Sequence, residues 1–239
     1  LHVMAYERLK SKPGNMTPGT DDETLDGYSW ETIEQNIDLL KMEQYQPNSV
    51  RRKQIPKANG KSRPLGIPSP RDKVIQECIR LILEAIYEPN FHDNSHGFRP
   101  GRSCHTALES LRRNWVGTKW VIEADISQCF DMIDHHILLD TLREKIKDDR
   151  FINLIRKFLT AGYVDKWKYN KTYSGTPQGS VISPILTNIY MSKLDNWLEQ
   201  VSNQYSEGET REVNLEYFRL LHRRKRVLEI GETHPELRE

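Results

Sequence analysis

Residues 175–184 read Gly-Thr-Pro-Gln-Gly-Ser-Val-Ile-Ser-Pro. Two glycines and a proline at the mouth of a helix permit close backbone approach and leave N-terminal amides free to meet a ligand, and Gln178 adds an uncharged donor and acceptor. An ordinary loop-to-helix junction uses the same residues, so the run acquires meaning only from what surrounds it.

Upstream, Trp120-Val-Ile-Glu-Ala-Asp-Ile-Ser127 alternates, with Trp120, Ile122, Ala124 and Ile126 on one face and Val121, Glu123, Asp125 and Ser127 on the other. The pattern predicts a strand over Lys119 to Ser127, with Asp125 near the end of an apolar ribbon. A carboxylate there loses solvation unless it meets a cation or several donors, and Mg²⁺ is a natural partner because it takes hard oxygen ligands. An Asp that ends a strand and caps the next turn is the plain alternative. Asp131 and Asp134 read as turn and N-cap residues.

Charge is distributed in blocks. Between Thr20 and Gln46 eight acids face Lys41 alone, and between Arg51 and Lys73 eight bases face Asp72 alone, so the formal net charge of +1 conceals both. A concentrated basic block is the electrostatic footprint expected for phosphates, although a solvated charged surface has the same composition. Within the block Asn59-Gly60 is the dipeptide most suited to a type I′ turn, which predicts a hairpin of Arg52 to Lys57 and Lys61 to Ile67. Pro56, Pro64 and Pro68 would be confined to its edge positions. A short basic ribbon makes a poor core and is well suited to lie over an anion.

Helical spacing is clear in Trp30, Ile33, Ile37 and Leu40. Ser69-Pro70-Arg71-Asp72 supplies an N-cap, a Pro at the first helical position and a carboxylate at N3 ahead of Ile75, Ile79, Ile82 and Ile86. Further helices are predicted from Cys104 to Trp115, His135 to Ile146, Phe151 to Leu159 and Val181 to Gln200, the last begun or kinked at Ser183-Pro184. A strand pair is predicted over Asp165 to Ser174 around Asn170-Lys171. The chain from Ser202 on is polar and carries Arg219, Arg223, Arg224, Lys225 and Arg226 without an acid between them.

Composition narrows the class. The chain of 239 residues is long enough to bury a core, with 36% hydrophobic and 29% charged residues. Three cysteines (Cys78, Cys104 and Cys129) with no CxxC argue against a disulfide framework or zinc knuckle and favour a reducing compartment. The charge-free stretch Thr172 to Ser192 contains Pro177, Pro184, Gln178 and Asn188 and is no membrane span. No basic-then-apolar leader begins at Leu1, which predicts no secretory signal and a chain cut from something longer. His135 and His136 point apart on a helix, and His92, His96 and His105 lack metal-site spacing, so structural or surface roles are expected for all of them.

Taken in order, these segments resemble the reverse transcriptase domain of group II intron maturases. The resemblance is carried by IPKANGKSRPLGIPS as the fingers hairpin, NSHGFRPGRSCHTAL as an insertion, VIEADISQCFD as the first palm motif and TYSGTPQGSVISPILTNIYM as the second. It spans about Tyr28 to Gln200. It implies an α+β fold: the fingers and partial palm of a right-hand polymerase, helix-rich, with a basic β-hairpin and a small antiparallel palm sheet. Residues 1–118 would form an N-terminal extension and fingers, 119–201 a partial palm, and 202–239 a polar basic linker or insertion.

The resemblance implies an RNA-directed DNA polymerase that binds intron RNA and aids splicing and retrotransposition. Asp125 would be the first metal-binding carboxylate and the Ile126 carbonyl would help hold the second ion. Phe130 would be the steric gate beneath the sugar. Lys57, Lys61 and Arg63 would clamp the triphosphate of a dNTP, and Gln178 and Gly179 would line its pocket. Intron RNA would be gripped by Arg51, Arg52, Lys53, Arg99, Arg102, Arg112, Arg113, Arg223, Arg224, Lys225 and Arg226. Implied partners are group II intron RNA and an RNA template with a DNA primer, in a cytoplasmic ribonucleoprotein with no membrane, and a homodimer is expected from exposed strand edges.

The third palm motif, a turn with two adjacent aspartates, is missing: Asp21-Asp22 and Asp148-Asp149 are the only such pairs. Asp125 alone would leave two Mg²⁺ ions under-coordinated, so the chain as written is expected not to polymerise, and truncation is a simpler account than natural loss. A non-catalytic RNA-binding scaffold with the same fold is the alternative, and the spliceosome's central scaffold protein resembles the family in that way. A metal-dependent phosphohydrolase using Glu123, Asp125, Asp131 and Asp134 is a third class, and it leaves residues 175–184 unexplained.

Overall fold

A computed structural model describes residues 1–56, 60, 62–116, 118, 121–205 and 214–233. The chain divides into two compact units, Leu1–Trp197 and Leu198–Glu239. In the first, helices α1 (His2–Lys10), α2 (Trp30–Lys41), α3 (Pro70–Tyr87), α4 (Cys104–Asn114), α5 (His135–Lys145) and α6 (Asp149–Thr160) accompany strands β1 (Val50–Pro56), β2 (Ser62–Ile67), β3 (Tyr163–Asp165) and β4 (Lys168–Asn170). Helix α7 runs over Ser183–Tyr205 and α8 over Leu215–Thr233. The polar segment expected after Ser202 is therefore helical over Leu215–Thr233, exposing Arg223 to Arg226 on its surface. None of the described helices is long and apolar enough to cross a membrane.

Side chains cap α3, α4 and α5, the first and last as the sequence predicts. Ser69 Oγ accepts the amide of Asp72 at the start of α3, Ser103 and Thr106 close a capping box on α4, and Asp134 Oδ1 accepts the amides of His136 and Ile137 on α5. Asp148 caps α6, so the Asp148-Asp149 pair is a helix start.

The main core joins Ile75, Ile79 and Leu83 of α3 to Leu138 and Leu142 of α5, Ile152 and Ile155 of α6, and Leu186 and Ile189 of α7. Each such buried side chain contributes about 1.5–3 kcal/mol relative to exposure. A second cluster seats Ala5 and Leu9 of α1 on Val74 and Cys78, so α3 is buried on two sides. Trp30, expected on the apolar face of α2, is instead exposed, and Ile33 and Asn36 are the buried positions.

The four strands form one mixed sheet in the order β2-β1-β3-β4. β1 pairs antiparallel with β2 and parallel with β3, and β3 and β4 form a second hairpin. Three expectations are corrected here. First, Pro56 lies opposite Ser62, one residue off the register that a two-residue loop at Asn59-Gly60 imposes; Gly60 has φ of +76°, and Lys57, Ala58, Asn59 and Lys61 lie outside the described residues. Second, the other hairpin turns at Lys166-Trp167 rather than Asn170-Lys171. Asp165 pairs with Lys168, and parallel pairing of Tyr163 and Val164 with Val50 and Arg51 sets that register over the local turn preference. Third, residues 121–126 form no strand, and Ile122 is 94% exposed. A ribbon with alternating pattern still needs a neighbour for its amides and carbonyls, and among the described residues none lies beside it. Pro64 does occupy the sheet edge, on β2, as its missing N–H requires.

Candidate active site

The loop after β4 ties the sheet to the turn that follows Asp125. Gly175 N donates to Ile133 O and Thr176 N to Phe130 O, each at 2.7 Å, and Ser174 Oγ donates to Asp131 O at 3.2 Å. Gly175 has φ of +79°, and a Cβ there would sit 2.6 Å from Asp131 O and 2.7 Å from its Cα. The residue must be glycine for these two segments to close. Buried His135 holds the carbonyl of the same glycine, its Nε2 donating to Gly175 O at 2.7 Å, which gives it the structural role expected.

Gln178 and Gly179 bind the basic hairpin to this arrangement. Gly66 N on β2 donates to Gln178 O at 2.6 Å, and Gln178 Nε2 donates to Asp131 Oδ2 at 3.2 Å. Gly179 has φ of +101°, and its missing Cβ would lie 2.5 Å from Leu65 Cδ1 and 2.8 Å from Gly66 O. From α3, Gln76 Oε1 accepts Ser180 Oγ at 2.8 Å and Val181 N at 3.0 Å, which fixes the approach to α7. Three pieces distant in sequence thus meet: the hairpin, the Gln178-Gly179 loop and the Phe130-Asp131 turn.

Around this junction lies a cleft of about 400 Å³ lined by Arg52, Gly66, Gln128, Asp131, Tyr163 and Gln178, among others. The Arg52 guanidinium stacks 3.5 Å from the centre of the Tyr163 ring. A larger cleft of about 770 Å³ shares Gly66 with it and is lined by Arg8, Lys12, Leu65, Lys73, Phe98 and Gly179. Lys73 is engaged there, donating to Thr17 O at 2.8 Å, while Arg8 and Lys12 are exposed.

Asp125 is exposed rather than desolvated, because residues 121–126 are irregular. Its charge is felt at Cys129, whose thiol is pushed up first by burial and then by Asp125. Phe130 is half-buried beside the loop whose Thr176 amide donates to its carbonyl, and Ile126 is exposed. Arg63 is exposed on β2, and Lys57 and Lys61 lie outside the described residues.

The expected RNA-binding arginines divide into two groups. Arg51 and Arg52 are half-buried on β1, while Lys53, Arg112 and Arg223 to Arg226 are exposed, Lys225 lying 3.8 Å from Glu229. Arg113 pairs with Glu109, and Arg102 donates to Asp93 O and Oδ1 at 2.6 and 2.8 Å. Arg99 does not face solvent. It is 8% exposed, its Nε donates to both Glu88 carboxylate oxygens at 3.0 and 3.2 Å, and its Nη1 donates to His92 O and Ser95 O at 2.8 and 2.7 Å. Its guanidinium is held by the fold at the wall of the larger cleft.

Asp131 was legible only as a turn residue, although it is the acceptor that orients Gln178. No local signal marks it, because the bond spans 47 positions. As a metal site the described residues are insufficient: no group of three His, Cys, Asp or Glu side chains is gathered among them, and Asp125 supplies a single carboxylate. An octahedral two-ion site needs more oxygen ligands than that, so no chemical step is assigned here to a metal.

A helix-rich α+β unit whose basic hairpin is stitched to a Pro-Gln-Gly loop is the fingers and palm arrangement of a nucleic-acid polymerase, and residues 55–213 match the reverse transcriptase (RNA-dependent DNA polymerase) family. The chain belongs to that family, whose chemistry carries a general requirement for a divalent metal. Within it, the chain is 48% identical over 228 residues to the group II intron-encoded protein LtrA of Lactococcus lactis subsp. cremoris, covering 95% of this chain and 38% of that protein. It is 52% identical over 205 residues to an uncharacterized 91 kDa protein in the cob intron of Schizosaccharomyces pombe, covering 86% of this chain and 25% of that protein. To nuclear intron maturase 2, mitochondrial, of Arabidopsis thaliana it is 30% identical over 173 residues, covering 55% and 24%. The chain thus spans less than half the length of these relatives. Among solved structures, a partial Cas6-RT-Cas1–Cas2 complex aligns with a TM-score of 0.53 at 23% identity, covering 83% of this chain and 33% of that one, and carries the same fold.

Proposed function

We propose that this chain is the fingers and first palm segment of an RNA-directed DNA polymerase in a group II intron-encoded protein, which binds its intron RNA and copies it from a primer as a cytoplasmic ribonucleoprotein. The observation that carries the reading is the double engagement of Gln178, whose carbonyl holds β2 and whose amide is held by Asp131. That arrangement keeps a nucleotide pocket between the hairpin and the Phe130 turn. In this reading Arg63, with Lys57 and Lys61, neutralises the triphosphate, Phe130 lies under the sugar, and Gln178 and Gly179 line the base and sugar side. The cleft carrying Arg8, Lys12 and exposed Phe98 takes the template, through phosphate contacts and stacking.

Asp125 and the Ile126 carbonyl are the proposed ligands of this chain to Mg²⁺, in a protein that also supplies a pair of aspartates. The reaction proposed for that whole protein is in-line attack of the primer 3′-hydroxyl on the α-phosphate, which forms the new phosphodiester bond as the bond to the β-phosphate breaks and pyrophosphate leaves. The second reading, a non-catalytic RNA-binding scaffold, draws support from the exposed, irregular setting of Asp125. Primer extension on poly(rA) with an oligo(dT) primer and Mg²⁺, in a full-length intron-encoded protein carrying this segment, separates the two. Asp125→Ala abolishes extension and Arg63→Ala raises the KM for dTTP if the polymerase reading holds; normal extension by Asp125→Ala overturns it.

A further inference from the structure

The turn between β3 and β4 carries a residue that the fold does not explain. Trp167 is 98% exposed, and it and Lys166 hold φ of +66° and +48° at the two central positions between the paired residues Asp165 and Lys168. A two-residue turn with both φ positive is met without steric cost by Asn or Gly, and a tryptophan there is strained. The usual compensation for a large aromatic is burial, and this one buries almost nothing. Such strain at an exposed position points to a ligand.

The surroundings identify its chemistry. Lys166 and Lys168 flank Trp167 and Lys171 follows β4, all three exposed, with Asp165 the one acid in the segment, and Tyr173 is 82% exposed. Lys171 and Tyr173 line the cleft that holds Gln178, so flat rings and cations alternate from the hairpin tip back to the candidate active site. Exposed rings suit a partner with exposed planar faces, and the lysines suit one with repeated negative charge. An unpaired nucleic-acid strand has both, whereas a duplex hides its base faces.

We propose that the β3–β4 hairpin is a stacking platform for single-stranded RNA, with Trp167 taking a base and Lys166, Lys168 and Lys171 its phosphates. The inference rests on the reading of the chain as RNA-binding and assigns to that reading a contact outside the nucleotide pocket. The test is fluorescence anisotropy of a labelled rU 12-mer, with a blunt-ended, fully paired RNA duplex as control. Trp167→Ala should weaken rU binding by roughly 5- to 100-fold, Trp167→Phe should retain most of the affinity because it keeps an aromatic face, and the duplex should be indifferent to both. Trp167→Ala should not lower the melting temperature, so loss of binding cannot be laid to unfolding. Equal rU binding by Trp167→Ala and the parent overturns the proposal, as does an equal loss for the duplex. Failure of the parent chain to bind either RNA overturns the RNA-binding reading as well, which distinguishes the two failures.

Discussion

Gln178 Nε2 donates to Asp131 Oδ2 at 3.2 Å while the Gln178 carbonyl accepts Gly66 N at 2.6 Å, so one residue joins the hairpin to the turn that carries Phe130. A hydrogen bond to an ionised acceptor in a half-buried setting contributes about 1–2 kcal/mol. Gln178→Ala and Asp131→Ala should each lower stability by about that amount, and the double variant by little more than either alone. Urea midpoints of the three variants measure the coupling, and full additivity would show that the pair is not formed.

Gly175 closes the site against backbone, where nothing can move aside. A Cβ would meet the O, C and Cα of Asp131 within 2.7 Å, at a positive φ. Gly175→Ala should therefore cost about 4 kcal/mol or prevent folding. At Gly60 φ is also positive, but nothing lies within 4 Å, so Gly60→Ala should cost only about 1 kcal/mol. Thermal unfolding of the pair tests whether close approach, rather than dihedral preference, constrains residue 175.

Arg99 and Arg112 carry the same charge and should respond oppositely. Removing Arg99 leaves the Glu88 carboxylate and two carbonyls without their donor, so Arg99→Ala should lose about 3 kcal/mol. Arg112→Ala, at an exposed position, should change stability by less than about 0.5 kcal/mol. If Arg112 meets a phosphate, the same variant lowers the salt dependence of RNA binding by about one unit of slope. Calorimetry beside a salt titration of RNA affinity reads both.

The Cys129 thiol reports where Asp125 sits. Burial raises its pKa, and the Asp125 carboxylate raises it further by opposing the thiolate. Asp125→Asn removes the smaller cause, so the alkylation midpoint of Cys129 should fall yet stay above that of a free thiol. The rate of iodoacetamide reaction against pH, in a Cys104→Ser background because Cys104 is exposed, gives the midpoint. An unchanged midpoint would place Asp125 away from Cys129.

What could be read without coordinates was local. The caps at Ser69 and Asp134 and the periodicity of α3 act over three or four residues, so the chain states them within one turn of helix. The basic block and the glycines at 60, 175 and 179 were legible for the same reason, since positive φ and charge are properties of single positions. The resemblance of residues 175–184 to a polymerase motif likewise needed only the order of residue types.

Tertiary structure alone decided which remote groups meet. The alternation of residues 120–127 is a sound strand pattern, yet residues 121–126 form no ladder, because pairing requires a neighbouring strand and a pattern does not provide one. Asn170-Lys171 is a fair turn dipeptide, yet parallel pairing of β3 with β1 moved the turn to Lys166-Trp167. Arg99 reads as a surface cation until Glu88, His92 and Ser95 close around it, and Asp131 reads as a turn residue until Gln178 reaches it. Short-range steric and capping preferences are written into the covalent chain, whereas the burial of a charge or the choice of a strand partner depends on groups tens of residues away.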